Sequence, residues 1–351
     1  MKHLRTFIHL VALLLFGSHA LGQANLDVEG LGWLGDRQIN ERLGFLLGFD
    51  PDEEVALDAP LLEDSAFLLL EQMRRQGYLE PTVKAVFEVG GDQVRAEWTT
   101  PYAVQLPVEF TAERASYEIE LGRLYYYDSA EVSGLEAVDL DEPERFFIPG
   151  GSLLTRKKDL AFTQENLQRR TNRLLSALEA MGYAEAQVTD ESVRIDDATG
   201  AVELALAVDP GPLHRVGEVT VNYEGSRPEA IQPVAPASGV IFNREWLSEA
   251  RVQLRNSAYA AGYPDAEVRS FSTAESADGA KEVRRPVRFE LRPGPPVELV
   301  DLRFEGDPAI RRRVLRRQAD LDSGAPLDPR MTDRARRRLM GLGIFQQVEM
   351  D

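Results

Sequence analysis

One pattern recurs along this chain and limits what it can fold into. A helix-spaced apolar run ends at a glycine, and an alternating strand-like segment follows. It is clearest from Asn243 to Phe271, where Trp246 or Leu247, Ala250, Leu254, Ala258 and Ala261 fall on one helical face and Gly262-Tyr263-Pro264 ends the run. Ala266-Glu267-Val268-Arg269-Ser270-Phe271 then reads as a strand. The same plan recurs at Thr163 to Met181 before Gly182-Tyr183, at Leu62 to Gln76 before Gly77-Tyr78, and at Met331 to Met340 before Leu342-Gly343-Ile344-Phe345. The four glycines are separated by 105, 80 and 81 residues, so the chain reads as a tandem repeat with an insertion in its first interval.

A second landmark keeps step with the first. Val28-Glu29-Gly30, Val132-Ser133-Gly134, Tyr223-Glu224-Gly225 and Phe304-Glu305-Gly306 each close a candidate strand, at intervals of 104, 91 and 81 residues. Together the landmarks define a unit of strand, short helical region, long helix, strand, strand. The expected repeats run from 23 to 121, from 122 to 210 with an irregular insertion over 139–158, from 211 to 293, and from 294 to 351.

In the first repeat, Leu26 and Val28 alternate with Asp27 and Glu29, and a helix is expected from Arg37 to Leu47. Asp50 to Asp58 reads as an acidic connector. Val83, Ala85, Phe87 and Val89 are spaced as a strand that Gly90-Gly91-Asp92-Gln93 turns into Val94 to Trp98. Pro101 and Pro107 interrupt the weaker pattern from Thr100 to Leu121, which is left unplaced. Val202, Leu204, Leu206 and Val208 close the second repeat, and Val287, Phe289 and Leu291 the third, each before a Pro-Gly-Pro break. Val300, Leu302 and Phe304 reopen the pattern, and Asp328-Pro329 is a capping acid before a proline at the first helical position. A further strand is expected from Phe345 to Met350.

Composition narrows the function. The formal net charge of −18 argues against general nucleic-acid binding, which rests on Lys and Arg. Residues 1–22 read as a secretory signal peptide, with Lys2 and Arg5 ahead of an apolar run from Phe7 to Phe16 that is shorter than the ~20 residues of a membrane span. The chain is therefore expected to be exported. The absence of cysteine excludes disulfides, thiolate metal sites and a catalytic thiol. His3, His9 and His19 lie in the leader, leaving His214 as a surface or packing residue rather than a catalytic one.

Other motifs carry ordinary readings. Tyr125-Tyr126-Tyr127 reads as a strand whose alternate residues face the core. Gly30-Leu31-Gly32-Trp33-Leu34-Gly35 lacks the pattern of a nucleotide loop. Arg311-Arg312-Arg313, Arg316-Arg317, Arg334 and Arg336-Arg337-Arg338 read as solvated helix faces with Ile310, Val314 and Leu315 turned inward; the alternative is contact with anionic lipid or the rim of a membrane barrel.

The Leu-Gly-Ile-Phe ending, the helix before it, the strand-Glu-Gly opening and the Pro-Gly-Pro close resemble the POTRA domain, the polypeptide-transport-associated module of outer-membrane assembly proteins. The resemblance spans Asn25 to Asp351, and Leu26-Asp27-Val28-Glu29-Gly30 with Gly77-Tyr78 looks most like the TamA branch of the BamA and TamA insertase superfamily. It implies an α+β fold of tandem β-α-α-β-β units, each with two helices on a three-stranded sheet whose third strand lies centrally and whose second lies at the edge. It also implies a non-enzymatic periplasmic scaffold that needs no cofactor and hands unfolded outer-membrane clients to a C-terminal or separate membrane barrel. An inner-membrane-anchored periplasmic partner belongs to the same picture.

The client would add a strand to an unpaired edge. That edge is expected at Glu267, Val268, Arg269, Ser270 and Phe271, and at Glu185, Ala186, Gln187, Val188 and Thr189. The alternative is a solvated edge blunted by Glu267 and Arg269. Two other functions stay open: a translocator for one dedicated client, recognised by the 139–158 insertion, and an exported hydrolase using paired carboxylates.

Overall fold

The computed structural model describes residues 26–47, 56–150, 156–273, 280–305, 311–345 and 347–349. The expected leader, most of the acidic connector, Ile310 and the last residues of the chain lie outside them. The chain divides into two compact bodies: one reaches Ala130 and includes 147–169 and 193–204, and the other holds 131–146, 170–192 and 205 onwards. The second repeat contributes residues to both.

The first repeat opens with β1 (Leu26–Glu29) and α1 (Trp33–Leu46), followed by β2 (Leu57–Asp58) and α2 (Ala59–Arg75). Asp58 starts α2 by accepting a hydrogen bond from Leu61 N at 3.1 Å, with Pro60 in the first turn. The helix buries Leu62, Ala66, Leu69, Leu70 and Met73. Each large apolar side chain of this kind contributes about 1.5–3 kcal/mol. β3 (Thr82–Val89) turns into β4 (Asp92–Trp98), and β5 (Thr111–Ala112) and β6 (Arg114–Glu120) follow.

The hairpin forms where expected, but with Val83 opposite Trp98 and Val89 opposite Asp92, so Asp92 and Gln93 belong to β4 and the turn is Gly90-Gly91 alone. The sheet order is β1-β6-β3-β4, so this repeat has four strands rather than three. The unplaced segment from Thr100 to Leu121 supplies its central strand, β6. Only Ala115, Tyr117 and Ile119 mark that strand as buried, too few alternations to stand out after two prolines.

The second repeat contains β7 (Tyr126–Ser133), α3 (Gln164–Ala180), β8 (Gln187–Asp196) and β9 (Ala201–Asp209), in sheet order β7-β9-β8. The expected first helix is absent among its described residues, and two single-turn 3-10 segments, Pro143–Phe146 and Lys157–Leu160, stand there instead. The insertion is partly core: Phe147 is fully buried beside Tyr127, with ring centroids 6.4 Å apart, and Leu135 and Val138 are buried near it in sequence. All three tyrosines are buried, against the expected alternation. Tyr126 escapes the outer face because Lys157 covers its ring at 4.0 Å and donates to its hydroxyl.

The third repeat holds β10 (Leu213–Tyr223), α4 (Arg244–Ala260), β11 (Glu267–Ser272) and β12 (Glu282–Arg292). Its sheet runs β10-β12-β11, with β12 parallel to β10 and antiparallel to β11. The segment from 224 to 243 is irregular, so the expected first helix is again missing. Ala250, Leu254 and Ala258 of α4 pack on Val287, Phe289 and Leu291 of β12.

The fourth repeat has α5 (Arg312–Ala319) and α6 (Pro329–Met340), the latter capped by Asp328 as expected. Leu315, Ala319, Ala335 and Leu339 bury its small core, joined by Leu302, Phe304, Leu342, Phe345 and Val348. The strands expected at 300–304 and from Phe345 do not form among the described residues. A strand needs a hydrogen-bonding neighbour, and no described residue supplies the central one. The α+β tandem plan holds throughout.

Candidate interaction edges

The third strand of each full repeat is central because the hydrophobic strands β6, β9 and β12 are apolar on the helix-facing side and need neighbours on both edges. In the second and third repeats the second strand is left outermost. In the third repeat the opposite edge is covered in part, since Val216 N donates to Val240 O at 2.8 Å and Gly239 N to Val216 O at 2.8 Å. Among the described residues no strand pairs with the outer side of β8 or β11.

β11 carries the expected residues. Val268 and Ser270 face the helix side and are half-buried, and Glu267, Arg269 and Phe271 are exposed. Glu267 stands opposite Arg292, and Arg269 opposite Glu290. Arg292 also pairs with Glu224 at 3.1 Å, and Arg288 with Glu290 at 3.4 Å while its guanidinium lies 5.1 Å from the Phe271 ring centre. The solvent face is thus a self-compensated charge ladder. Such exposed pairs contribute about 0–1 kcal/mol each, so they blunt the face without sealing the backbone edge.

β8 begins at Gln187, so Gln187, Val188 and Thr189 lie on the second edge while Glu185 and Ala186 do not. The turn holds them back: Ala186 N bonds Tyr183 O at 3.2 Å, and the Glu185 carboxylate lies 3.2 Å from His214 Nε2. Thr189 donates to Ala207 O at 3.1 Å. His214 is a packing residue, fully buried, with Arg285 Nε donating to its Nδ1 at 2.7 Å. Glu185 has only its place after Tyr183 to signal such a contact, which sequence spacing does not reveal.

The first repeat shows what an edge of this kind accepts. β1 is parallel to β6, and β6 is antiparallel to β3, so β3 holds the place that β11 holds in the third repeat. The outer side of β3 is occupied by β4, paired antiparallel over seven positions from Val83–Trp98 to Val89–Asp92.

A family model described as POTRA, surface antigen variable number repeat, matches residues 125–211. The second repeat is therefore similar to a POTRA domain over that span. Against curated proteins, the chain is 19% identical over 201 residues to the outer membrane protein assembly factor BamA of Neisseria meningitidis serogroup B, covering 56% of this chain and 24% of that protein. The chain therefore spans about a quarter of that relative's length. Among solved structures, the POTRA3-5 crystal structure of Haemophilus influenzae BamA overlays with a TM-score of 0.38 at 19% identity, covering 64% of this chain and 88% of the other. The N-terminal domain of Omp85 from Thermosynechococcus elongatus overlays with a TM-score of 0.28 at 16% identity, covering 77% and 96%.

Two grooves on the described residues gather carboxylates, and both are lined by arginines as well. A groove of about 420 Å³ between Tyr223, Glu267 and Leu291 gathers Glu224, Glu267 and Glu290, but Arg269 and Arg292 also line it. A second groove contains Asp301 and Glu305 with Arg303, Arg312, Arg313 and Arg316. The hydrogen bond from Arg303, with that from the Leu302 amide, holds the Asp301 carboxyl below its ordinary range, the opposite of what a general acid needs. No cluster of three or more His, Asp or Glu among the described residues could hold a metal ion. No described helix is long and apolar enough to cross a membrane.

Proposed function

We propose that this chain is the periplasmic POTRA scaffold of an Omp85-type outer-membrane assembly factor, nearest the TamA branch. It receives unfolded β-rich clients on the outer edges of β8 and β11 and passes them to a membrane barrel. An inner-membrane-anchored partner would act at the same array. The POTRA match and the similarity to a BamA assembly factor support the family of functions. The observation that carries the mechanism is β4, which lies antiparallel on β3 in the position a client would take on β11. Main-chain pairing of this kind gives affinity with little demand on client sequence, as a general assembly factor requires.

The test is an NMR titration of the full chain with an extended peptide of alternating polarity taken from an outer-membrane barrel strand. The amides of 267–272 and 187–190 are expected to shift and to gain at least tenfold in exchange protection. Binding that leaves both edges unprotected, or no binding at all, would reject strand addition.

A further inference from the structure

The repeats are joined by the same hydrogen-bonded relay three times. At the end of α2, Gly77 O accepts from Tyr125 N at 2.8 Å, and Tyr125 O accepts from Phe162 N at 2.8 Å. At the end of α3, Gly182 O accepts from His214 N at 2.9 Å, and His214 O from Phe242 N at 2.9 Å. At the end of α4, Gly262 O accepts from Val297 N at 2.7 Å, and Val297 O from Leu327 N at 2.8 Å. Phe162, Phe242 and Leu327 each precede a capping residue: Thr163, Asn243 and Asp328 accept from Asn166 N, Trp246 N and Arg330 N at 3.0, 2.8 and 2.9 Å. The last turn of one long helix is therefore chained to the first turn of the next.

The middle residue of the relay differs. It is Tyr125, His214 and Val297 in turn, and only histidine changes charge between pH 5 and 8. The imidazole of His214 is fully buried. Because Arg285 Nε donates to Nδ1 at 2.7 Å, Nδ1 carries no proton and the neutral ring is protonated at Nε2. Nε2 faces Glu185 Oε1 at 3.2 Å, outside good hydrogen-bond alignment. A second proton must therefore enter at Nδ1, where the guanidinium sits.

Among the described residues, the charges that act on the ring are those of Arg285 and Glu185. From β12 comes Arg285, whose other nitrogen is 3.8 Å from the same Glu185 oxygen and whose guanidinium lies 5.2 Å from the Phe242 ring centre. From the turn after α3 comes Glu185 itself. On β10 the neighbouring Arg215 is held by Glu282 at 3.1 Å, and at the start of α4 Arg244 is held by Glu179 at 2.6 Å.

We propose that the His214 junction is an acid-operated hinge: protonation at Nδ1 expels Arg285 and loosens the relay from Gly182 through His214 to Phe242. The Tyr125 and Val297 junctions have no such group and stay closed. Burial, then the positive charge of Arg285, holds the imidazole pKa below its ordinary value, against the pull of Glu185. A histidine kept neutral by folding contributes stability that is complete above the unfolded value of about 6.5. That contribution is lost as pH falls through 6.5 toward the lower folded value. The hinge therefore opens on the acid side of neutrality, independently of whether clients bind the edges.

The experiment is hydrogen exchange of the full chain at pH 7.5 and pH 5.0, corrected for intrinsic chemistry. The amides of His214 and Phe242 are expected to lose protection at least tenfold on acidification, while Tyr125, Phe162, Val297 and Leu327 keep theirs. The H214Q variant is expected to abolish the difference. Should that variant fold poorly, the His214 ring proton can be titrated in the unaltered chain, where a midpoint below about 6.5 is expected. Equal loss at all three junctions, an unchanged acid response in H214Q, or a midpoint at or above about 6.5 would overturn the proposal.

Discussion

Replacing Gly262 by alanine tests the junction at a site where two costs can be separated. Gly262 has φ +85°, and a Cβ built there would lie 2.9 Å from Pro326 Cβ and 3.0 Å from Val297 O. A left-handed alanine costs roughly 1–2 kcal/mol, and forcing atoms into a packed site costs about 1–3 kcal/mol more. The sum is about 2–5 kcal/mol, which at 1.4 kcal/mol per tenfold is a loss of protection of roughly 30-fold or more. Gly343 follows α6 with Gly343 N bonded to Met340 O at 3.1 Å and φ +69°, but a Cβ there meets no atom of the described residues within 4 Å. Gly343→Ala should therefore cost only the conformational part, about 1–2 kcal/mol. Hydrogen exchange read at Val297 and Leu327 for the first variant, and along α6 for the second, measures both. Equal losses would mean that the tight approach of the next repeat contributes nothing, and the reading of the junction would fail.

Further outcomes follow from the same structure. Phe289→Ala removes a fully buried ring 6.1 Å from Trp246 and should destabilise the third repeat by about 3–5 kcal/mol, seen as a lower denaturant midpoint for Trp246 fluorescence. Asn243→Ala loses the cap bond to Trp246 N and the 2.7 Å bond from Nδ2 to Ala180 O, for a cost of about 1–2 kcal/mol, whereas Asn243→Asp should keep the cap and lose less. Burial opposes ionisation of Asp328, but its bonds from the Arg330 side chain and amide outweigh this and hold the carboxyl below the usual range. Its contribution to α6 is present above about pH 3.9 and is lost as pH falls through the lower folded value. Circular dichroism should show α6 weakening below pH 4, and Asp328→Asn should flatten that dependence.

Much of this architecture was legible in the chain. The long helices α2, α3, α4 and α6 announced themselves because amphipathic spacing, a polar or acidic start and a terminal glycine agree within each. β11 was readable because its alternation is undisturbed over Glu267 to Phe271. The first helix of the first repeat was legible too, since the run expected over Arg37–Leu47 is α1 (Trp33–Leu46). Those expected in the second and third repeats do not form among the described residues, and in the second the core is filled by Phe147, a residue whose role depends on where Tyr127 sits. β8 starts two residues later than expected, since Tyr183–Ala186 forms the same turn that Tyr263–Ala266 forms before β11.

The sequence by itself determined the recurring long helix, its terminal glycine and, in the first three repeats, the strand that follows, because periodicity and capping act over a few residues. Only the tertiary structure decided which strands are central, which edge stays open and which is covered, because strand neighbours are chosen by pairing across the fold. It also decided that one lone histidine sits between an arginine and a glutamate at a joint between repeats. No local pattern encodes that arrangement, since its three residues come from three different elements up to 100 positions apart.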